Sequence, residues 1–103
     1  MVEVVWTQPA LADLDAVADY IALDNPTAAK QLVRDVFERI DKLVKHPRLG
    51  PKLPELPGFG YRQLIVPPCR IVYRQLKSKI YIVCLFRSER RFDTKLVTRA
   101  HPI

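Results

Sequence analysis

The chain is poor in the residues that most often announce a chemistry. It has three glycines, two histidines and two cysteines in 103 residues. None of the glycines opens a helix after a strand, so there is no phosphate-cradling loop. His46 and His101 lie far apart, and neither has a Cys or acidic partner at ligand spacing, so no metal site is expected. His46 falls where a helix C-terminus is expected, and His101 lies near a fraying end. No Ser elbow or Cys/His pair can be assigned by spacing, and nothing calls for a cofactor. Two cysteines are too few for a disulfide scaffold. Cys69 and Cys84 read as small buried apolar groups on strands. No apolar run approaches the roughly 18 residues of a membrane span. The opening "MVEVVWTQPALADL" lacks the basic and apolar regions of a signal peptide. A cytoplasmic location is the expectation that follows.

What is abundant is positive charge, and it is unevenly placed. The net charge is +6. Residues 1–46 hold five Lys/Arg against eight Asp/Glu, whereas residues 47–103 hold twelve against three. The second half therefore carries a field suited to nucleic acid or to an acidic protein surface. The chain length fits one domain over residues 1–103, with a tail from about residue 93 that is a candidate for flexibility.

The apolar pattern predicts the elements in turn. "VEVVW" (Val2–Trp6) is a β-branched run and reads as a strand. Leu11, Leu14, Val17, Ala18 and Ile21 then recur at helical spacing, with Thr7 as N-cap and an end near Leu23. Asp13, Asp15 and Asp19 on this helix read as a solvated face. Asn25 and Pro26 start a second helix of about 20 residues that stops before Pro47. "HPRLGPKLPELPGFG" is too rich in Pro and Gly for regular structure; Leu49, Leu53 and Leu56 are expected to pin it to the domain. Three strands follow, Phe59–Val66, Cys69–Leu76 and Ile80–Arg87, joined by short turns into a meander. The last is nearly continuous apolar sequence, as in a strand covered on both sides. One or two helical turns are expected between Arg91 and Arg99. The order is β-α-α-β-β-β, an α+β fold with a helical hairpin packed on a mostly antiparallel sheet.

Arginines mark this sheet and its exit: Arg62, Arg70, Arg74, Arg87, Arg90 and Arg91. If the helices cover the face of Ile71 and Tyr73, alternation sends Arg70 and Arg74 to the open face, where Arg62 can join them. Guanidinium groups stay charged and grip phosphate or carboxylate in pairs of hydrogen bonds. Three meanings remain open: holding RNA and stabilising a phosphate in transfer, docking an acidic protein or protein–DNA surface, or plain solubility. Metal-free RNA cleavage also needs a general acid and base. The candidates nearby are Glu89, Tyr61, Tyr73 and Tyr81. No residue is assigned a catalytic role.

In their order, "HPRLG", "YRQL", "CRIVYR" and the Arg90–Arg91 pair resemble the ParE/RelE superfamily of bacterial type II toxins, over nearly the whole chain. The resemblance implies a toxin, associated with plasmid stabilisation, that is neutralised by a cognate ParD-like antitoxin in a hetero-oligomer. Operator DNA is bound only indirectly, through the antitoxin. RelE-like members are ribosome-dependent mRNA endonucleases, and ParE-like members inhibit DNA gyrase and block replication. Arg62, Arg70 and Arg90 fit the RelE-like basic positions. The second basic position of the "YRQL" strand is Gln63 or Leu64, the terminal Tyr falls near Leu96, and no His stands around Phe86–Arg87. These departures favour the ParE-like branch, with the six arginines as the target-binding surface. The other readings are the endonuclease, and a non-toxic module acting only in the antitoxin complex and in autoregulation.

Overall fold

The computed structural model describes residues 2–100. Met1 and residues 101–103 lie outside them, and so do the expectation for His101 and the two ends of the domain. Strand β1 (Glu3–Trp6) is followed by helices α1 (Gln8–Ala22) and α2 (Pro26–Asp41), then strands β2 (Tyr61–Val66), β3 (Cys69–Leu76) and β4 (Lys79–Arg87), and a short helix α3 (Lys95–Thr98). Both long helices start as their sequences predict. Thr7 and Asn25 accept the N–H of Ala10 and Ala28 through their side chains. The second helix tightens into a 3-10 turn over Lys42–Val44 before Pro47 stops it. β2 begins two residues later than expected, because Gly60 takes a φ of 82°, outside the extended range of a regular strand.

The sheet order is β1-β4-β3-β2. β2–β3 and β3–β4 are antiparallel hairpins, while β1 runs parallel to β4, with the Glu3 N–H on the Ser78 carbonyl at 2.9 Å. The connector after α2 does more than span. The Gln63 N–H reaches the Pro51 carbonyl and the Leu53 N–H reaches the Tyr61 carbonyl, so it lines the outer edge of β2. Leu53 is buried and Leu56 half-buried as expected; Leu49, however, stays 47% exposed.

The face opposite the helices is not open, which corrects the simple alternation argument. One core lies under the helical hairpin, where Leu14, Leu32, Val36 and Ile40 meet Ile71, Tyr73, Ile80, Ile82 and Leu85. A second core lies on the other face, where Leu53, Leu96 and Val97 cover Val72, Val83, Cys84 and Phe86. A β-bulge connects the two. Val72 pairs with Cys84 but Tyr73 with Ile82, so Val83 is the extra residue of β4. The extra residue lets Ile82 and Leu85 both face the helices, while Val83 and Cys84 both serve the second core. This explains why β4 reads as unbroken apolar sequence.

Candidate functional site

Arg70 is central, and it is engaged. Its Nη1 and Nη2 donate to the two carboxylate oxygens of Glu55, each at 2.8 Å, and its Nε donates to Gln63 Oε1 at 2.8 Å. The guanidinium carbon lies 5.1 Å from the centre of the Phe86 ring. Only 15% of the side chain is exposed. The Arg70 hydrogen bonds hold the Glu55 carboxyl below its ordinary range, and the same bonds raise the Arg70 pKa further. The cation that was expected on an open face is therefore paired, stacked and largely covered.

The other arginines divide into inward and outward groups. Arg62 donates from Nη1 to the Gly50 carbonyl at 2.8 Å and so anchors the connector. Gly50 packs so closely on β2 that a Cβ there would stand 2.1 Å from the Gln63 carbonyl oxygen. The Tyr73 hydroxyl completes this joint: it accepts the Gly50 N–H at 2.9 Å and donates to the Pro47 carbonyl at 3.0 Å. The "HPRLG" stretch is thus an architectural joint. Arg74 stacks on Tyr61 at 5.2 Å from the ring centre. Arg87 stacks on Tyr20 at 5.2 Å, with its Nε within 2.7 Å of Glu89 Oε1, an ion-pair contact without hydrogen-bond geometry. Arg90 and Arg91 are exposed. Arg87 and Arg90 line one groove of about 210 Å³ between α1 and β4, together with Asp13, Val17 and Leu85. The six arginines do not converge on one point; Arg87 and Arg90 share a groove, and Arg90 and Arg91 share the rim of the tail.

The candidate proton carriers are placed for other work. Tyr73 is buried, its hydroxyl has both partners, and burial raises its pKa. Tyr61 lies under Arg74, and Glu89 sits beside Arg87. Tyr81 is half-buried, paired across the sheet with Arg74. Asp13 departs from the solvated face expected of it. It accepts the Leu85 N–H at 3.0 Å and forms an ion pair with Arg99 from beyond α3, whereas Asp15 and Asp19 are exposed. Glu55, Tyr20 and Arg99 were missed from sequence, since no spacing rule ties residues this far apart, and Gln63 and Phe86 were not read as partners of Arg70, because strand register decides which side chains meet. The thiols are buried on opposite faces, Cys69 in the helix-side core and Cys84 in the second. Burial pushes Cys69 up to about 11 and Cys84 up to about 12.

A helical hairpin on a four-stranded mixed sheet, rimmed by arginines, is the architecture of a ParE/RelE-type toxin, and comparison with known proteins agrees. A family model described as the ParE toxin of the type II toxin–antitoxin system parDE matches residues 4–92. The chain is 37% identical over 84 residues to Toxin RelE2 of Caulobacter vibrioides, covering 81% of this chain and 91% of that protein. It also superposes on a chain of the chromosomal ParDE toxin–antitoxin system from P. aeruginosa, with a TM-score of 0.74 and 31% identity, over 86% of this chain and 98% of that one. The chain belongs to the ParE toxin family of type II toxin–antitoxin systems.

Proposed function

We propose that this ParE-family toxin acts in the cytoplasm as one domain that binds DNA gyrase and inhibits it in its DNA-bound state, and that a cognate ParD-like antitoxin neutralises it. The observation that carries the reading is the Glu55–Arg70 pair. A phosphate-gripping arginine in an RNA-cutting site has to be available to the phosphate. Here both terminal nitrogens already hold a carboxylate, and Gln63 takes the third donor. Arg90 and Arg91, exposed beyond β4, are then the leading target contacts, with Arg74 and Arg87 beside them and Arg62 and Arg70 supporting from within. The antitoxin would use the grooves beside the helical hairpin, including the one between α1 and β4, by adding a strand or laying down an amphipathic helix.

A supercoiling and cleavage assay with purified gyrase tests the proposal. Inhibition is expected, and Arg90→Ala with Arg91→Ala should weaken it without unfolding the protein, since exposed charges contribute little to stability. Full supercoiling activity at saturating toxin would sink it. The RelE-like reading is supported by Arg62, Arg70 and Arg90 at basic positions and by the relative called RelE2. Codon-dependent cuts in message on translating ribosomes would decide for it. Unimpaired growth on expression without antitoxin would instead favour a module acting only in the antitoxin complex and its autoregulation.

A further inference from the structure

A second cationic feature lies at the start of β2, away from the groove of Arg87 and Arg90. Lys52, Gly58, Gly60, Tyr61 and Arg62 help wall a cavity of about 260 Å³. Among the described residues, no carboxylate lines it. The connector has one acidic residue, Glu55, and both its oxygens are taken by Arg70. Lys52 is exposed and forms no ion pair among the described residues. Phe59 stands between the two left-handed glycines and leaves 62% of its surface in water, although a large aromatic gains from burial. Beyond Gly60, the Arg74 guanidinium lies over the Tyr61 ring. Gly60 holds a left-handed φ of 82°, which favours glycine, and a Cβ there would meet Arg74 Nε only at an ordinary contact distance of 3.8 Å. The surface thus presents an exposed aromatic ring, a stacked planar cation and two further cations, with no acidic group among them.

We propose that this surface binds single-stranded nucleic acid. A flat exposed ring beside fixed cations is what an unpaired base and its phosphate need: the base stacks and the phosphate is neutralised, with no sequence reading required. Phe59 and the Arg74–Tyr61 stack take base faces, while phosphates go to Lys52 and to the rest of the Arg62 guanidinium, whose Nη1 alone holds the Gly50 carbonyl. A duplex hides its base faces and gives Phe59 nothing to stack on. An acidic peptide would satisfy the cations but has no obligatory planar group for the rings. Phe59 and Lys52 are not among the gyrase contacts proposed above, so variants at these two positions test this surface separately from that function.

Fluorescence anisotropy with labelled oligo-dT and oligo-rU of about 12 nucleotides, on the full chain at low salt, tests the idea. Binding is expected to weaken with salt at a log–log slope of about −1.4 for two phosphate contacts. Phe59→Ala should weaken it by about tenfold and leave the melting temperature unchanged. Lys52→Gln should reduce the slope by about 0.7. Tighter binding of oligo-rU would assign the site to RNA, and tighter binding of oligo-dT to opened DNA; either supports it. Undetectable binding of both strands overturns the proposal, as does binding that Phe59→Ala leaves intact. Displacement by a poly-glutamate peptide or a hairpin duplex as readily as by oligo-dT overturns it too, because the rings would then have no part in recognition.

Discussion

Arg70 and Glu55 meet in a two-point contact, nitrogen to oxygen at 2.8 Å on both sides, that ties the start of β3 to the proline-rich connector. Because Arg70 holds the Glu55 carboxyl below its ordinary value of 4.5, the sign of the pH effect is fixed. The unfolded chain binds a proton here before the folded one does, so the contribution is present above about pH 4.5 and is lost as pH falls through the folded pKa. Glu55 is partly solvated, so the pair is worth about 1 kcal/mol at neutral pH. Urea denaturation of Glu55→Gln should show a loss of about that size at pH 7, closing towards zero in strong acid. A gap that persisted below pH 3 would assign the effect to packing.

Tyr73 carries the joint between sheet and connector through one oxygen. Tyr73→Phe leaves the Gly50 N–H and the Pro47 carbonyl without their partner. The expected cost is about 1–3 kcal/mol. Gly50→Ala acts on the same joint by a different route, since its methyl would meet the Gln63 carbonyl. That strain is also worth about 1–3 kcal/mol. Denaturant midpoints measure both, and the two effects should be less than additive because they release the same contact.

Asp13 is a latch for the C-terminal helix. Asp13→Ala removes the acceptor of the Leu85 N–H and the partner of Arg99 together, with an expected loss of about 1–3 kcal/mol. Asp13→Asn keeps an acceptor for the amide and gives up only the ion pair, so it should cost less. Trypsin reports the latch directly. Cleavage after Lys95 and Arg99 should quicken in both variants, and more in the alanine.

The two thiols should be silent at neutral pH. Both are buried, and burial lifts Cys69 to about 11 and Cys84 to about 12 from an ordinary 9.0. A thiol-reactive dye at pH 8 should label neither until the protein is unfolded. Between pH 9 and the folded values, the unfolded chain has lost protons that the folded chain retains, so stability falls as pH rises. Replacing both residues with Ala should flatten that alkaline decline in a denaturation series.

Much of this architecture was legible from residue patterns because it follows from local rules. Thr7 and Asn25 announce their helices, Pro47 ends the second, and the β-branched runs give all four strands. The faces were harder to read. Alternation put Arg70 and Arg74 in the open, yet Val83 adds a residue to β4, and Leu53 and Val97 come from distant segments to cover that face. The site was legible as a set of arginines and illegible as an arrangement. That Arg70 would be met by Glu55, and Asp13 by Arg99, depends on tertiary placement across 15 and 86 residues, which no period or motif encodes.

The parallel pairing of β1 with β4 bears on how the toxin is born. The ribosome releases Glu3–Trp6 long before Lys79–Ile82, the strand they must lie against. At about 5–20 residues per second the wait is roughly 4–15 seconds. Throughout that interval the nascent chain lacks its finished sheet, and the Arg90–Arg91 segment has yet to be made. Order of synthesis therefore builds in a delay of seconds between the first strand and the finished toxin sheet.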